Sequence, residues 1–168
     1  MKHQKKHLIL TCLLLALLAA SVTAQSKPSA AFEKLKALAG EWEGKDSEGN
    51  PLTLSYELVS GSTAVMEKIH NIHGANMVTV YHADGAALQA THYCSIGNQP
   101  RMRAVVTAGE VKQLRFNFAG VSNLASPTAG HMRALTVNFV DADHFTQVWT
   151  YREKGKDSST TFTLARKK

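Results

Sequence analysis

Met77-Val78-Thr79-Val80-Tyr81-His82-Ala83-Asp84-Gly85-Ala86-Ala87-Leu88-Gln89-Ala90-Thr91-His92-Tyr93-Cys94 reads as two β-strands folded back on one another. Asp84-Gly85 is the turn signal, because glycine accepts the positive φ that a two-residue hairpin loop demands. With those two residues as the loop, Ala83 pairs with Ala86, Tyr81 with Leu88, Thr79 with Ala90 and Met77 with His92. Paired residues share a face of the sheet, as do alternate residues along each strand. One face then carries Met77, Thr79, Tyr81, Leu88, Ala90, His92 and Cys94, and the other carries Val78, Val80, His82, Gln89, Thr91 and Tyr93. The first face is the expected interior. A one-residue change of loop length would exchange the faces relative to the partner strand.

The same grammar extends in both directions. Upstream, Leu52, Leu54, Tyr56 and Leu58 alternate with Thr53, Ser55 and Glu57, a clean period of two, and Thr63 to Ile69 follows a Ser60-Gly61-Ser62 turn. Downstream, Met102 to Thr107, Leu114 to Phe118, Arg133 to Val140, Phe145 to Tyr151 and Thr160 to Ala165 are separated by turn residues such as Gly97-Asn98-Gln99-Pro100, Gly109-Glu110 and Asp141-Ala142-Asp143. Gly120 to Gly130 is the single long connection. With the strand opened by Trp42, about ten strands follow one another through short turns, and short turns allow antiparallel neighbours only. A meander of that length has two exposed edges, which closure removes. The expectation is an all-β, ten-stranded up-and-down barrel, with a two-sheet sandwich as the alternative. One helix precedes it: Phe32, Leu35, Leu38 and Ala39 share a face, Ser29 caps the start and Gly40 ends it.

The N-terminus reads as an export signal. Lys2, Lys5 and Lys6 precede an apolar run from Leu8 to Ala20, and Ser21-Val22-Thr23-Ala24 offers small residues for cleavage before Gln25. The expected organisation is a signal peptide over 1–24 and one domain over 25–168, exported to the periplasm or beyond, with no membrane anchor after cleavage. The chain has 19 Lys and Arg against 13 Asp and Glu, net +6. Three of the lysines leave with the signal, so the mature charge is +3. No basic stripe of the kind nucleic-acid binding needs is present. Cys12 leaves as well, so Cys94 has no intramolecular disulfide partner.

Leu38-Ala39-Gly40-Glu41-Trp42-Glu43-Gly44 resembles the opening of the calycin superfamily, in which lipocalins begin with Gly-x-Trp and nitrobindin-like ten-stranded barrels with Leu-x-Gly-x-Trp-x-Gly. Thr91-His92-Tyr93-Cys94 with Gly97-Asn98-Gln99-Pro100-Arg101-Met102 resembles an exported bacterial group within that class, which brings no established activity. The resemblance implies a barrel whose end is closed by Trp42. A nitrobindin-like haem site would also imply a ligating His on a strand near the C-terminus. Thr160 to Ala165 has none, and His144, the nearest, does not match. No cofactor is expected.

The expected interior of the hairpin places Tyr81, His92 and Cys94 in the lumen, and Trp149 shares a face with Phe145, Gln147 and Tyr151. The 97–101 loop, folded over the mouth, would add Asn98, Gln99 and Arg101 as hydrogen-bonding groups. These seven residues are the candidate ligand site, and each also has a plain reading as core, turn or rim. His70-x-x-His73 sits at a strand end, where side chains three apart diverge, and lacks a third ligand in sequence, so no metal site is expected. There is no Gly-x-Ser-x-Gly, P-loop or dinucleotide fingerprint. The leading functional expectation is an exported barrel that binds a small, mainly apolar molecule. A structural or interaction protein presenting loops, chiefly Gly120 to Gly130, is the alternative. An enzyme using His92 with Tyr81 or Cys94 ranks below both, since nothing in sequence orients such a pair.

Overall fold

The computed structural model describes residues 29–71, 76–106 and 110–168. The segment read as an export signal, His73 and Gly109 lie outside the described residues. Among the described residues one helix, α1 (Ala30–Lys36), precedes ten strands: β1 (Gly40–Lys45), β2 (Pro51–Val59), β3 (Ala64–Asn71), β4 (Asn76–Asp84), β5 (Ala87–Tyr93), β6 (Gln99–Val105), β7 (Gln113–Ser122), β8 (His131–Phe139), β9 (His144–Glu153) and β10 (Lys156–Arg166). Each strand pairs antiparallel with its neighbour in sequence, and β10 returns to β1, so the barrel is closed. This is the up-and-down barrel that the alternation and short turns predict; the sandwich is excluded.

The β4–β5 hairpin departs from the predicted pairing in an informative way. Gly85-Ala86 forms the loop, Gly85 takes φ 58°, and Asp84 stays in the ladder opposite Ala87. Glycine in the first loop position suits a type II′ turn, while Gln89 Nε2 (3.1 Å) and Arg103 (3.7 Å) hold the Asp84 carboxylate on the outer wall. Tyr81 therefore pairs with Ala90, and Thr79 with His92. The slip is two residues, so both faces are conserved: Thr79, Tyr81, Leu88, Ala90 and His92 are all buried.

α1 closes one end. Ser29 caps it, its hydroxyl accepting from the Phe32 amide at 3.3 Å, and it buries Ala31, Phe32 and Leu35 against the barrel. Trp42 Nε1 donates to the Leu38 carbonyl at 2.8 Å, and its ring meets Phe145 edge-on at 4.6 Å. The motif's second glycine has a packing cause. A Cβ on Gly44 would run into the Thr163 carbonyl of β10, so only glycine lets β1 close the barrel there.

Arg166 ties this end to the C-terminal strand. Its guanidinium lies 4.3 Å from the Trp42 ring, donates to the carbonyls of Ala37, Ala39 and Ala142, and pairs with Asp143 at 3.2 Å. Those carbonyls include ones that α1 leaves unpaired. Arg166→Ala is expected to cost roughly 1.5–3 kcal/mol, read as a lower denaturation midpoint. Arg166→Lys should recover little of it, because an ammonium cannot reproduce the planar fork that meets several carbonyls while stacking on the indole.

The opposite end is built differently. The 123–130 connection runs along its rim, held to the neighbouring turns: Asn123 Nδ2 donates to the Gly97 carbonyl (2.6 Å), Asn98 Nδ2 to the Gly130 carbonyl (2.8 Å) and the Lys154 amide to the Thr128 carbonyl (2.9 Å). The Tyr151 hydroxyl occupies the space a side chain at 130 would need. Inward positions toward this end, Met77, Phe118 and Met132, remain only partly buried.

Candidate functional site

The polar centre of the lumen is Glu67, fully buried on β3. Its Oε2 accepts from the Tyr81 hydroxyl at 2.6 Å; its Oε1 accepts from the Tyr56 hydroxyl at 2.8 Å and from Gln147 Nε2 at 2.6 Å. Gln147 Nε2 also donates to the Tyr56 oxygen (2.7 Å), and Gln147 Oε1 accepts from Trp149 Nε1 (2.9 Å). Every proton in this chain is directed toward the carboxylate, which is the arrangement an anion requires. Burial pushes the Glu67 carboxyl above its usual range, and the Tyr81, Gln147, Tyr56 and Thr79 side chains pull against that shift. Burial, and then the Glu67 charge, drives both tyrosine hydroxyls well above their ordinary range, so they stay protonated donors.

Strand geometry assembles this set. Tyr56 lies directly opposite Glu67 on β2, Thr79 directly opposite it on β4, and Tyr81 two residues further on the same face. Gln147 and Trp149 come from β9. Glu67 escaped the sequence reading, although it stands between Val65 and Ile69 at a spacing of two; Gln147 is read there as sharing the inward face of Phe145 and Trp149 but is not among the candidate site residues. An acid or amide at such a position on a strand shares the apolar face.

His92 lies on β5 opposite Thr79, with Nδ1 2.9 Å from the Thr79 hydroxyl oxygen. Its ring is 4.8 Å from Trp149. Desolvation lowers its pKa to about 4, so the ring is neutral at physiological pH. Nε2 has no hydrogen-bond partner among the described residues, and neither does Oδ1 of the buried Asn98.

Of the seven predicted site residues, Tyr81, His92, Trp149 and Asn98 are buried. Gln99 and Arg101 go elsewhere. The segment predicted as a mouth loop is already strand at Gln99, and there the buried inward position is Pro100. Gln99 Nε2 turns back to the Gly97 carbonyl (3.0 Å), and exposed Arg101 donates to Ser122 Oγ (2.6 Å) on the outer wall. Cys94, expected inside, lies just past the end of β5 in a turn closed by the Gly97 amide on its carbonyl, and is half-buried.

The catalytic pairings do not form: Tyr81 donates its hydroxyl to Glu67, and Nδ1 of His92 meets Thr79. Glu67 is saturated by donors and sealed from solvent, a poor arrangement for a nucleophile or base. His144 does not fit a lumen haem ligand, since it is exposed and bound to Asp141 at 2.9 Å. Among the described residues no cluster of three or more His, Cys, Asp or Glu is placed to hold a metal ion. His70 is exposed beside Asn76 (2.7 Å). A depression of about 660 Å³ on the outer wall, lined by Glu43, Lys45, Pro51, Thr53 and His70 among others, contains none of the candidate side chains.

Comparison with solved structures supports the fold. The chain is similar to the crystal structure of Rv2717c from M. tuberculosis, with a TM-score of 0.59 and 13% identity over 83% of this chain and 99% of that one. A protein of unknown function from the DUF3598 family of Nostoc punctiforme PCC 73102 aligns at TM-score 0.43 and 12% identity, over 79% of this chain and 49% of that one. No family model matches the sequence, and no curated protein does. At 13% identity the similarity to Rv2717c speaks to the barrel alone.

Proposed function

We propose that this chain is an exported, lipocalin-like binding barrel that takes a small, mainly apolar molecule into its lumen from the end opposite α1. The supporting observation is the contrast between the two ends. At the α1 end Ala31, Phe32, Leu35 and Leu38 are sealed against the core. At the other, the inward-facing Met77, Phe118 and Met132 keep partial exposure on the mouth side of His92 and Trp149. Inward apolar side chains left part-wet at one mouth are a surface that a ligand would cover. Eight strands enclose just enough room for side chains or one small ligand; ten enclose more. Methionine, unbranched and polarisable, suits a pocket that must adapt. The calycin resemblance of the 38–44 segment and the N-terminal signal are consistent with such a protein working outside the cytoplasm after cleavage following Ala24.

The test is native mass spectrometry of the purified mature chain before and after extraction with organic solvent. A removable adduct of small-molecule mass is expected, and its return should shift the methyl resonances of Met77 and Met132. An adduct-free protein whose Met77 and Met132 methyls do not respond to any member of a small apolar compound set would refute the reading.

A further inference from the structure

Among the described residues two buried side-chain polar atoms, His92 Nε2 and Asn98 Oδ1, have no hydrogen-bond partner. Thr79 stands opposite Glu67, and its hydroxyl is among the groups that stabilise the Glu67 carboxylate. The Thr79 hydroxyl supports Tyr81 as well as Glu67; with its proton given to that side, the 2.9 Å contact with His92 is made by the ring's Nδ1–H. A neutral imidazole with its proton on Nδ1 has a bare lone pair on Nε2. Asn98 supplies the second acceptor. Its amide nitrogen donates to the Gly130 carbonyl at 2.8 Å, a partner that can only accept, so the orientation of the amide is fixed and Oδ1 is left over. Thr91 opposite Arg101, and the Cys94 amide on the Asn98 carbonyl at 3.1 Å, set the local register between β5 and the start of β6. That register puts His92 and Asn98 on the inward side of neighbouring segments, with Asn98 nearer the mouth.

Around these acceptors the wall is aromatic and thioether: Trp149 at 4.8 Å from the His92 ring, with Phe118, Met77 and Met132 toward the mouth. Beneath them lies the Glu67 carboxylate, reached from His92 through Thr79 alone. A buried acceptor without a donor is costly, and a second anion placed above a sealed carboxylate is repelled.

We propose that the lumen ligand is a small, uncharged, largely apolar molecule carrying a hydroxyl or N–H donor that it presents to His92 Nε2, a second donor, where it has one, going to Asn98 Oδ1, and that carboxylate ligands are rejected. This deepens the lumen-binding reading and rests on it. Met77 and Met132 lie on the inward face nearer the mouth than His92, and are the side chains that yield to admit the molecule.

A matched series tests it with the mature protein: 4-propylphenol, 4-propylanisole and 4-propylbenzoate, titrated by calorimetry and followed by ¹⁵N resonances of the His92 ring. The phenol should bind roughly tenfold or more tightly than the ether, which keeps the ring and propyl chain but has a methyl in place of the donor proton. The benzoate should bind weakest, and the phenol alone should move the Nε2 resonance. His92→Phe should remove most of the phenol's advantage over the ether; the wild-type comparison stands whether or not that variant folds. Equal binding of phenol and ether would mean that a retained water or nothing serves the two acceptors, overturning this inference while leaving lumen binding intact. Tightest binding by the benzoate would overturn the exclusion of anions. Binding of none of the three would overturn the lumen-binding reading and this inference with it.

Discussion

Glu67→Ala is expected to destabilise the protein by roughly 3–5 kcal/mol, a large share of the 5–15 kcal/mol that ordinarily holds a domain folded. The deletion leaves the Tyr56 and Tyr81 hydroxyls and the Gln147 amide, all buried, without the acceptor on which they converge, and it opens a cavity at the centre of the barrel. Urea denaturation should show a lower midpoint with an unchanged slope. A triple variant separates network from cavity. Glu67→Leu with Tyr56→Phe and Tyr81→Phe removes acceptor and hydroxyl donors together and refills the volume, and buried polar groups replaced as a set by apolar ones are often nearly neutral. It should recover most of the loss, the remainder being the Gln147 amide. If Glu67→Ala costs less than about 1 kcal/mol, the convergence of donors is not what holds the carboxylate.

The contrast between Glu67 and the residues that were anticipated shows what a sequence carries. Leu52, Leu54, Tyr56 and Leu58 display the period of two openly, and the turn residues between strands forbid parallel crossovers, so the closed meander was legible. The lumen face of β4 and β5 was legible too, and it survived a wrong loop assignment because a slip of two residues preserves parity. The partner of His92 did not survive it: pairing with Met77 was predicted, whereas Thr79 stands there. Which polar groups meet depends on register across non-adjacent strands. Gln147 and Glu67 are 80 positions apart and touch at 2.6 Å only because β9 and β3 face each other across the lumen. Arg101 and Gln99 were misplaced for a local reason. Asn98-Gln99-Pro100 has the composition of a turn, yet the turn is already complete at Gly97, and strand alternation from Gln99 sends both side chains outward.

The acid limb of the stability curve should carry the signature of His92. Its folded pKa of about 4 lies below the ordinary 6.5, so in that interval the unfolded chain binds a proton that the native chain refuses. Stability from this group is therefore complete above pH 6.5 and is lost as pH falls through 4. At 1.36 kcal/mol per unit the loss is roughly 3 kcal/mol. Glu67 works in the opposite sense. Its folded pKa is raised by burial, so its contribution is fullest below the unfolded carboxyl value and declines as pH rises through the folded one. The two windows overlap, and the wild-type curve alone reports only their sum. His92→Phe separates them: the aromatic volume against Trp149 is largely retained, the Glu67 term remains, and the titrating imidazole is gone. Wild-type stability minus that of His92→Phe should fall by roughly 3 kcal/mol between pH 7 and pH 4. Ring ¹⁵N shifts of the native wild type should meanwhile report a neutral imidazole with its proton on Nδ1 at pH 5.5. A flat difference curve, or a charged ring at that pH, would place His92 in water rather than in the lumen, and the free acceptor at the barrel's mouth would go with it.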